Sequence, residues 1–211
     1  MTAIVGMSGS GKTTLCNLIA RFWDVNEGEI KIGGNNIKDY TVENLMDNIS
    51  MVFQDVYLFE DTIENNIKFG TQNATKEDVI EAAKKAQCHD FIVSLPQGYD
   101  TFIGEGGASL SGGEKQRISI ARAMLKDAPI IIFDEATANI DPENEDKLKL
   151  AIESLTNNKT VIMIAHRLKT IRNASQILVL NKGCIEQRGT HEELMRQGGI
   201  YKDFVNAKSM S

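Results

Sequence analysis

Apolar runs alternate with amphipathic stretches along this chain, and the two patterns predict strands and helices in turn. The runs at 130–133 and 160–165 are continuous, as is typical of strands buried on both faces of a parallel sheet. A shorter run at 3–5 is followed by apolar residues at the spacing of one buried helical face: Leu15, Leu18, Ile19 and Phe22. We therefore expect an α/β fold with a mostly parallel sheet and ligands at the carboxyl ends of its strands.

Local signals mark further helix ends and turns. Thr75 with Asp78, and Thr190 with Glu193, have the spacing of capping boxes at helix N-termini. The segments 177–180 and 184–187 are separated by Asn-Lys-Gly, which predicts a β-hairpin. Shorter strands are expected at 29–32 and 50–53, and the pattern is helical at 62–87 and around the apolar positions Ile118, Ala121 and Leu125.

Composition narrows the class of protein. The formal net charge of −6 argues against a general nucleic-acid binder, which usually has a basic face. The apolar runs are too short to span a bilayer and the N-terminus has no signal-peptide pattern, so we expect this domain itself to be soluble. Cys16, Cys88 and Cys184 lack metal-ligand spacing and are expected to be reduced core thiols of a cytosolic protein.

Residues 6–13 read GMSGSGKT and predict a loop that binds the phosphates of a nucleoside triphosphate. The glycines let the backbone wrap closely enough for its N–H groups to surround phosphate oxygens, and Lys12 adds a cation. Thr13 supplies a hydroxyl suited to Mg²⁺. The nucleotide-binding residues expected here are Gly6, Ser8, Gly9, Ser10, Gly11, Lys12, Thr13 and Thr14.

Two carboxylates follow the buried strand at 130–133. Asp134 suits the coordination sphere of a Mg²⁺ ion held between phosphates, and Glu135 can orient or deprotonate an attacking water. A carboxylate pair in this position can also simply cap the next helix. A phosphate loop upstream favours the metal and catalytic interpretation.

A second glycine turn at 110–117, LSGGEKQR, opens onto a second helix. Unpaired N–H groups and the helix dipole make this turn a second place for phosphate oxygens. One chain therefore carries two half-sites.

The two motifs together resemble the ATP-binding domain of ATP-binding cassette (ABC) transporters, and the resemblance covers essentially the whole chain. It implies that Gln54 touches metal and water, and that His166, within TVIMIAHRL, contacts the γ-phosphate. Ser111, Gly112 and Gly113 would reach the nucleotide of a partner domain. Asp141 lies in a segment similar to the D-loop, which crosses that interface, although Ala138, Asn139 and Ile140 replace the usual Ser, Ala and Leu.

The resemblance further implies an ATPase that forms ADP and phosphate and dimerises around MgATP to power transport. Its partners would be a second such domain, identical or not, and a transmembrane permease at the cytoplasmic face, upstream in the same polypeptide or on a separate subunit. The segment 101–107, with Glu105, and the segment 56–66 are similar to exporter-type domains. A soluble ABC-type ATPase is the alternative, although this chain has neither tandem cassettes nor coiled-coil insertions. A non-hydrolysing dimerisation module is disfavoured by Glu135 and His166.

The resemblance also divides the chain into parts. It implies a P-loop core of the RecA-like type at about 1–55 and 127–211, with an inserted helical subdomain at about 56–126. Family domains begin before the phosphate loop with strands that carry an adenine-stacking aromatic residue, and this sequence starts later. We therefore expect an N-terminally truncated domain whose antiparallel β-subdomain is incomplete and has an unpaired edge.

Overall fold

The computed structural model describes residues 1–71, 73–104, 109–134, 142–165 and 168–209. The strands are β1 Thr2–Val5, β2 Lys31–Ile32, β3 Asn35–Asn36, β4 Ile49–Val52, β5 Asp61–Thr62, β6 Phe102–Ile103, β7 Ile130–Asp134, β8 Thr160–Ile164, β9 Gln176–Asn181 and β10 Cys184–Gly189. The helices are α1 Lys12–Ile19, α2 Val42–Asp47, α3 Ile63–Lys68, α4 Lys76–Lys85, α5 His89–Ser94, α6 Gly112–Lys126, α7 Pro142–Thr156, α8 Leu168–Arg172, α9 His191–Gln197 and α10 Ile200–Ser209.

Six strands form one sheet in the order β10-β9-β1-β8-β7-β4. β1 lies between β8 and β9 and runs parallel to both, and β10 pairs antiparallel with β9 at one edge. The buried faces of β1 explain this central place, since Ala3, Ile4 and Val5 are at most 1% exposed. The mostly parallel α/β fold is therefore confirmed. Two short antiparallel ladders, β2 with β3 and β5 with β6, accompany the sheet.

The chain forms two compact units. Unit 1 consists of the described residues within Met1–Ile49, Ile132–Glu135 and Thr160–Ser211. Unit 2 consists of the described residues within Ser50–Ile131 and Ala136–Lys159.

In unit 1 a capping box and side-chain hydrogen bonds hold the two C-terminal helices, α9 and α10, in place. Thr190 and Glu193 form the expected capping box at the start of α9, which ends at Gly198. Gln187 on β10 then holds the turn into α10, donating to the carbonyl of Gly198 at 2.8 Å and accepting from the N–H of Tyr201 at 2.9 Å. The helix α10, Ile200–Ser209, was not among the helices that the sequence pattern predicted.

In unit 2 the helices α3, α4 and α7 pack against α6 or each other. Thr75 and Asp78 form the predicted capping box of α4. Asn66 is 1% exposed and links backbone to helix: its side chain bonds both the N–H and the carbonyl of Phe59, and it accepts from Arg122. Arg122 also lies over the ring of Phe69. Asn66 and Arg122 thus form a polar cluster that holds the segment between β4 and α4 against α6.

Two predictions of burial are wrong. Phe22 is 47% exposed and does not share a buried stripe with Leu15, because α1 ends at Ile19 and Arg21 adopts a left-handed φ of 56°. The residues of this helix that are buried are Lys12 and Cys16. Cys184 is exposed at the start of β10 and is not a core thiol, whereas Cys16 and Cys88 are buried as free thiols.

Across the described parts of the chain, none of the helices combines the length and apolarity that a bilayer crossing requires.

Candidate functional site

The phosphate loop connects the end of β1 to the start of α1. Its tip is closed by a bond from the N–H of Ser10 to the carbonyl of Met7 at 3.2 Å. Gly9 and Gly11 have φ values of 75° and 101°, in the left-handed region that glycine adopts without strain. Gly11 is the N-cap residue of α1, so the free N–H groups of that helix begin at the loop.

Position 6 requires glycine because the backbone of the phosphate loop lies very close there to the backbone of Leu180 in β9. A Cβ atom at this position would lie 2.3 Å from the carbonyl oxygen of Leu180 and 2.6 Å from Oγ of Ser10. Both distances are shorter than real Cβ contacts, so the loop packs on the end of β9 only because residue 6 has no side chain.

One cavity of about 380 Å³ in unit 1 brings together six of the eight predicted phosphate-binding residues, and Gly6 and Ser10 are not among its lining residues. Its lining residues are Ser8, Gly9, Gly11, Lys12, Thr13, Thr14, Asp134 and Ile164. The cavity lies where β1, β7 and β8 end, which is the edge at which parallel sheets place their ligands. Backbone N–H groups, a helix N-terminus and an ammonium group in one concave site suit an anion such as a polyphosphate.

The side chain of Lys12 is held by hydrogen bonds to the phosphate loop. The side chain is 8% exposed, and Nζ donates to the carbonyls of Gly6 at 3.1 Å and Met7 at 3.0 Å. These two contacts keep the ammonium at the cavity. A phosphate oxygen would be a stronger, charge-assisted acceptor for the same group.

Asp134 ends β7 and places a carboxylate on the cavity opposite the start of α1. Burial, together with the negative charge of Asp134, raises the pKa of the Cys16 thiol to about 12, so that thiol stays neutral. Thr13, whose side chain is exposed, lines the same cavity. A hydroxyl and a carboxylate are the hard oxygen ligands that Mg²⁺ prefers, so the residues present fit a magnesium ion.

The second glycine turn opens α6 in unit 2. Ser111 is the N-cap residue: its Oγ accepts from the N–H of Glu114 at 3.3 Å, and Glu114 accepts from the N–H of Ser111 at 2.8 Å. This capping box leaves the turn fixed at the start of a 15-residue helix, with Gly112 exposed and Gly113 buried.

Gln54 follows β4 in the same unit and its side chain is exposed. Gln116 on α6 is 4% exposed and donates to the carbonyl of Phe53 at 3.3 Å, which ties the segment of Gln54 to the helix that Ser111 begins. The predicted site residues Glu135, Asp141 and His166, and Glu105 of the exporter-like segment, lie outside the described residues.

Sequence reasoning missed three contributors to the phosphate loop. Met7 supplies a carbonyl to Lys12, Leu180 supplies the backbone against which Gly6 packs, and Gly183 donates its N–H to the carbonyl of Ser10 at 3.0 Å. All three act through main-chain atoms, so their side chains carry no signal in the sequence.

Comparison with known proteins identifies relatives of the whole chain. The family model described as "ABC transporter" matches residues 1–138. The chain is 55% identical over 203 residues to the ATP-dependent lipid A-core flippase of Syntrophus aciditrophicus (strain SB), covering 96% of this chain and 34% of the flippase. It is 50% identical over 208 residues to a candidate multidrug export ATP-binding/permease protein of Staphylococcus aureus (strain NCTC 8325 / PS 47), covering 99% of this chain and 36% of that protein.

A solved structure, a bacterial Atm1-family ABC exporter with ATP bound, is 44% identical and superposes with a TM-score of 0.91. That match covers 98% of this chain and 36% of the exporter. The chain thus spans about a third of the length of the curated relatives it matches. Because the family model matches well over half of the chain and the relatives named above are export proteins, the chain belongs to the ABC transporter family and is similar to the exporters within it.

Proposed function

We propose that this chain binds and hydrolyses ATP, and that it dimerises around MgATP to power an exporter-type ABC transporter. The observation that carries the proposal is the cavity in unit 1 on which the phosphate loop, Lys12, Thr13 and Asp134 converge. The chemistry of these groups matches a triphosphate with a divalent cation.

Binding would proceed by exchange of partners at the loop. The ammonium of Lys12 leaves the carbonyls of Gly6 and Met7 for phosphate oxygens, and the N–H groups of the loop and of the first turn of α1 surround the same phosphates. Thr13, Asp134 and Gln54 would hold Mg²⁺, which neutralises charge on the β- and γ-phosphate oxygens.

Hydrolysis requires a positioned water next to the γ-phosphate. Glu135 directly follows Asp134, which lines the cavity, so we assign Glu135 as the group that orients or deprotonates this water. Gln54 and His166 complete the catalytic set with Lys12, His166 by contact with the γ-phosphate.

The second half-site would act on another copy. Ser111, Gly112 and Gly113 present a hydroxyl and N–H groups at the start of α6, and we propose that they bind the nucleotide held by a second ABC domain, identical or homologous. Asp141 would lie at that interface. ATP then joins two domains, and its hydrolysis separates them.

The transport role draws on the relatives. The flippase and the export protein named above each extend well beyond the region that this chain matches. We propose that a transmembrane permease partner, in the same polypeptide or on a separate subunit, receives the mechanical output at the cytoplasmic face of the membrane. The division into a core at about 1–55 and 127–211 and a helical subdomain at about 56–126 belongs to this proposal.

Glu135→Gln tests the proposal, because it removes the base while keeping the size of the side chain. We expect hydrolysis to fall by about 10²–10⁴-fold while MgATP binding is retained, since general-base assistance contributes about that much. Light scattering with MgATP should then show a stable dimer.

Glu27→Gln, a change of the same kind at an exposed carboxylate, is the matched control and should leave turnover unchanged. Hydrolysis by the Glu135→Gln variant at the rate of the unaltered chain would remove Glu135 from its role. Failure of the unaltered chain to bind MgATP would contradict the proposed function as a whole.

A further inference from the structure

We propose that the turn between β9 and β10 holds the phosphate loop in its nucleotide-binding conformation, and that the main-chain N–H of Gly183 is the positioning group. The inference rests on the proposed function of the loop. Its central observation is the bond from the N–H of Gly183 to the carbonyl of Ser10, at 3.0 Å and across 173 residues of sequence, within unit 1.

The geometry of the turn makes this donor available. Asn181 pairs with Cys184, so Lys182 and Gly183 form a two-residue hairpin loop. Both have positive φ, at 47° and 81°, as a type I′ turn requires. In such a turn the N–H groups of the two central residues do not take part in the ladder between the strands. The N–H of Gly183 is therefore available to a partner outside the hairpin, and the carbonyl of Ser10 accepts it.

The bond bears on phosphate binding because its acceptor belongs to the peptide group between Ser10 and Gly11. The carbonyl of Ser10 and the N–H of Gly11 belong to one planar trans peptide, in which they point in opposite directions. Anchoring the carbonyl of Ser10 on the turn therefore aims the N–H of Gly11 away from the turn. Gly11 lines the cavity, and its N–H makes no hydrogen bond within the described residues.

A second contact fixes the other end of the loop on the same structure. Gly6 packs directly on the carbonyl of Leu180, the residue that precedes Asn181 in β9. Gly11 also approaches Gly183, since a Cβ at Gly11 would lie 3.6 Å from the Cα of Gly183. The end of β9 and the turn thus brace the loop at both its first and its last glycine.

The test removes one hydrogen-bond donor, the N–H of residue 183, and leaves all side chains unchanged. Incorporation of glycolic acid at position 183 replaces the peptide N–H with an ester oxygen. Gly34 is the matched control: Gly33 and Gly34 form the equivalent two-residue turn between β2 and β3, with φ values of 59° and 87°, and the N–H of Gly34 is not hydrogen-bonded among the described residues.

We expect the ester at 183 to raise the Kd for MgADP about three- to tenfold, the loss that one hydrogen bond typically causes, and the ester at 34 to change it less than about twofold. In the ligand-free protein, the N–H of Gly183 should exchange with solvent at least about tenfold more slowly than that of Gly34. Gly183→Asn, which keeps the N–H and tolerates a left-handed φ, should bind MgADP nearly as tightly as the unaltered chain.

Each other outcome has a definite meaning. Equal Kd values for the ester at 183 and the unaltered chain would overturn the inference and leave the proposed function intact. So would equal exchange rates at Gly183 and Gly34. An unaltered chain that does not bind MgADP would overturn the proposed function and this inference with it.

Discussion

Gly6→Ala should destabilise the fold, and the structure gives the size of the effect. The added Cβ would lie 2.3 Å from the carbonyl oxygen of Leu180, where real contacts are not shorter than 3.0 Å. The blocking atom is backbone in the central part of a sheet and not the end of a flexible side chain. The loop and the end of β9 must therefore separate by about 0.7 Å, the difference between those two distances.

Overpacking of this kind typically costs about 1–3 kcal/mol. Replacement of glycine by alanine also restricts the unfolded chain, which offsets about 0.4–1 kcal/mol. We therefore expect the free energy of unfolding to fall by about 1–2 kcal/mol. For a chain of this length that corresponds to a fall in Tm of about 2–8 °C.

Urea unfolding followed by circular dichroism measures this change. Gly112→Ala is the control, because a Cβ at Gly112 meets no atom within 4 Å and Gly112 is helical. There the same substitution should raise stability by about 0.4–1 kcal/mol. If Gly6→Ala proves as stable as the unaltered chain, the close approach to Leu180 does not exist as described and the reasoning fails.

The remaining predictions concern the second half-site, the polar cluster of Asn66 and Arg122, and the cysteine thiols. Ser111→Arg should abolish hydrolysis and leave MgATP binding by the monomer intact, because the guanidinium would occupy the phosphate position offered to a partner; activity that persists in this variant would contradict the composite site. Asn66→Ala should lower the free energy of unfolding by about 2–4 kcal/mol, since three hydrogen bonds to partly buried groups of Phe59 and Arg122 are lost. Asn65→Ala at an exposed neighbour should cost less than about 1 kcal/mol, and equal effects of the two changes in urea unfolding would refute this. A maleimide should modify one thiol per chain in the native state, the exposed Cys184, and three thiols after unfolding. The other two are protected because burial raises the pKa of Cys16 and of Cys88 to about 12, and labelling of two or more thiols in the native state would contradict that burial.

Local features of this fold were predictable because their causes are local. The capping box of Thr75 and Asp78 needs two side chains three residues apart, and the hairpin of β9 and β10 needs a short turn that contains glycine between two strand-forming segments. Both are complete within a dozen residues. The burial of Phe22 was predicted wrongly because the helical period was extended past Arg21, whose left-handed φ ends the phase of α1.

The site was predictable to the extent that it depends on side-chain chemistry. Lys12, Thr13 and Asp134 were selected from the sequence because their side chains suit phosphate and Mg²⁺, and the structure places all three on one cavity. Ile164 lines the same cavity but looks like any residue of a buried strand. The carbonyls of Gly6 and Met7 that accept from Lys12, and the N–H of Gly183 that donates to Ser10, are main-chain atoms that any residue could supply, so only the folded chain identifies them.

The register of the sheet joins these two levels, because it determines where the phosphate loop is braced. β1 pairs in parallel with β9 so that Val5 lies opposite Val179, and one step further along each strand Gly6 meets Leu180. In that register Ala3, Ile4 and Val5 are all buried, and a slip of one residue would exchange the faces of these side chains of different size. The pairing therefore brings the end of β9, and the turn that follows it, against the loop at a fixed height. Core packing in this way positions the loop whose N–H groups would bind phosphate in the proposed function. The core residues Ala3, Ile4 and Val5 contribute to that position although they do not line the cavity.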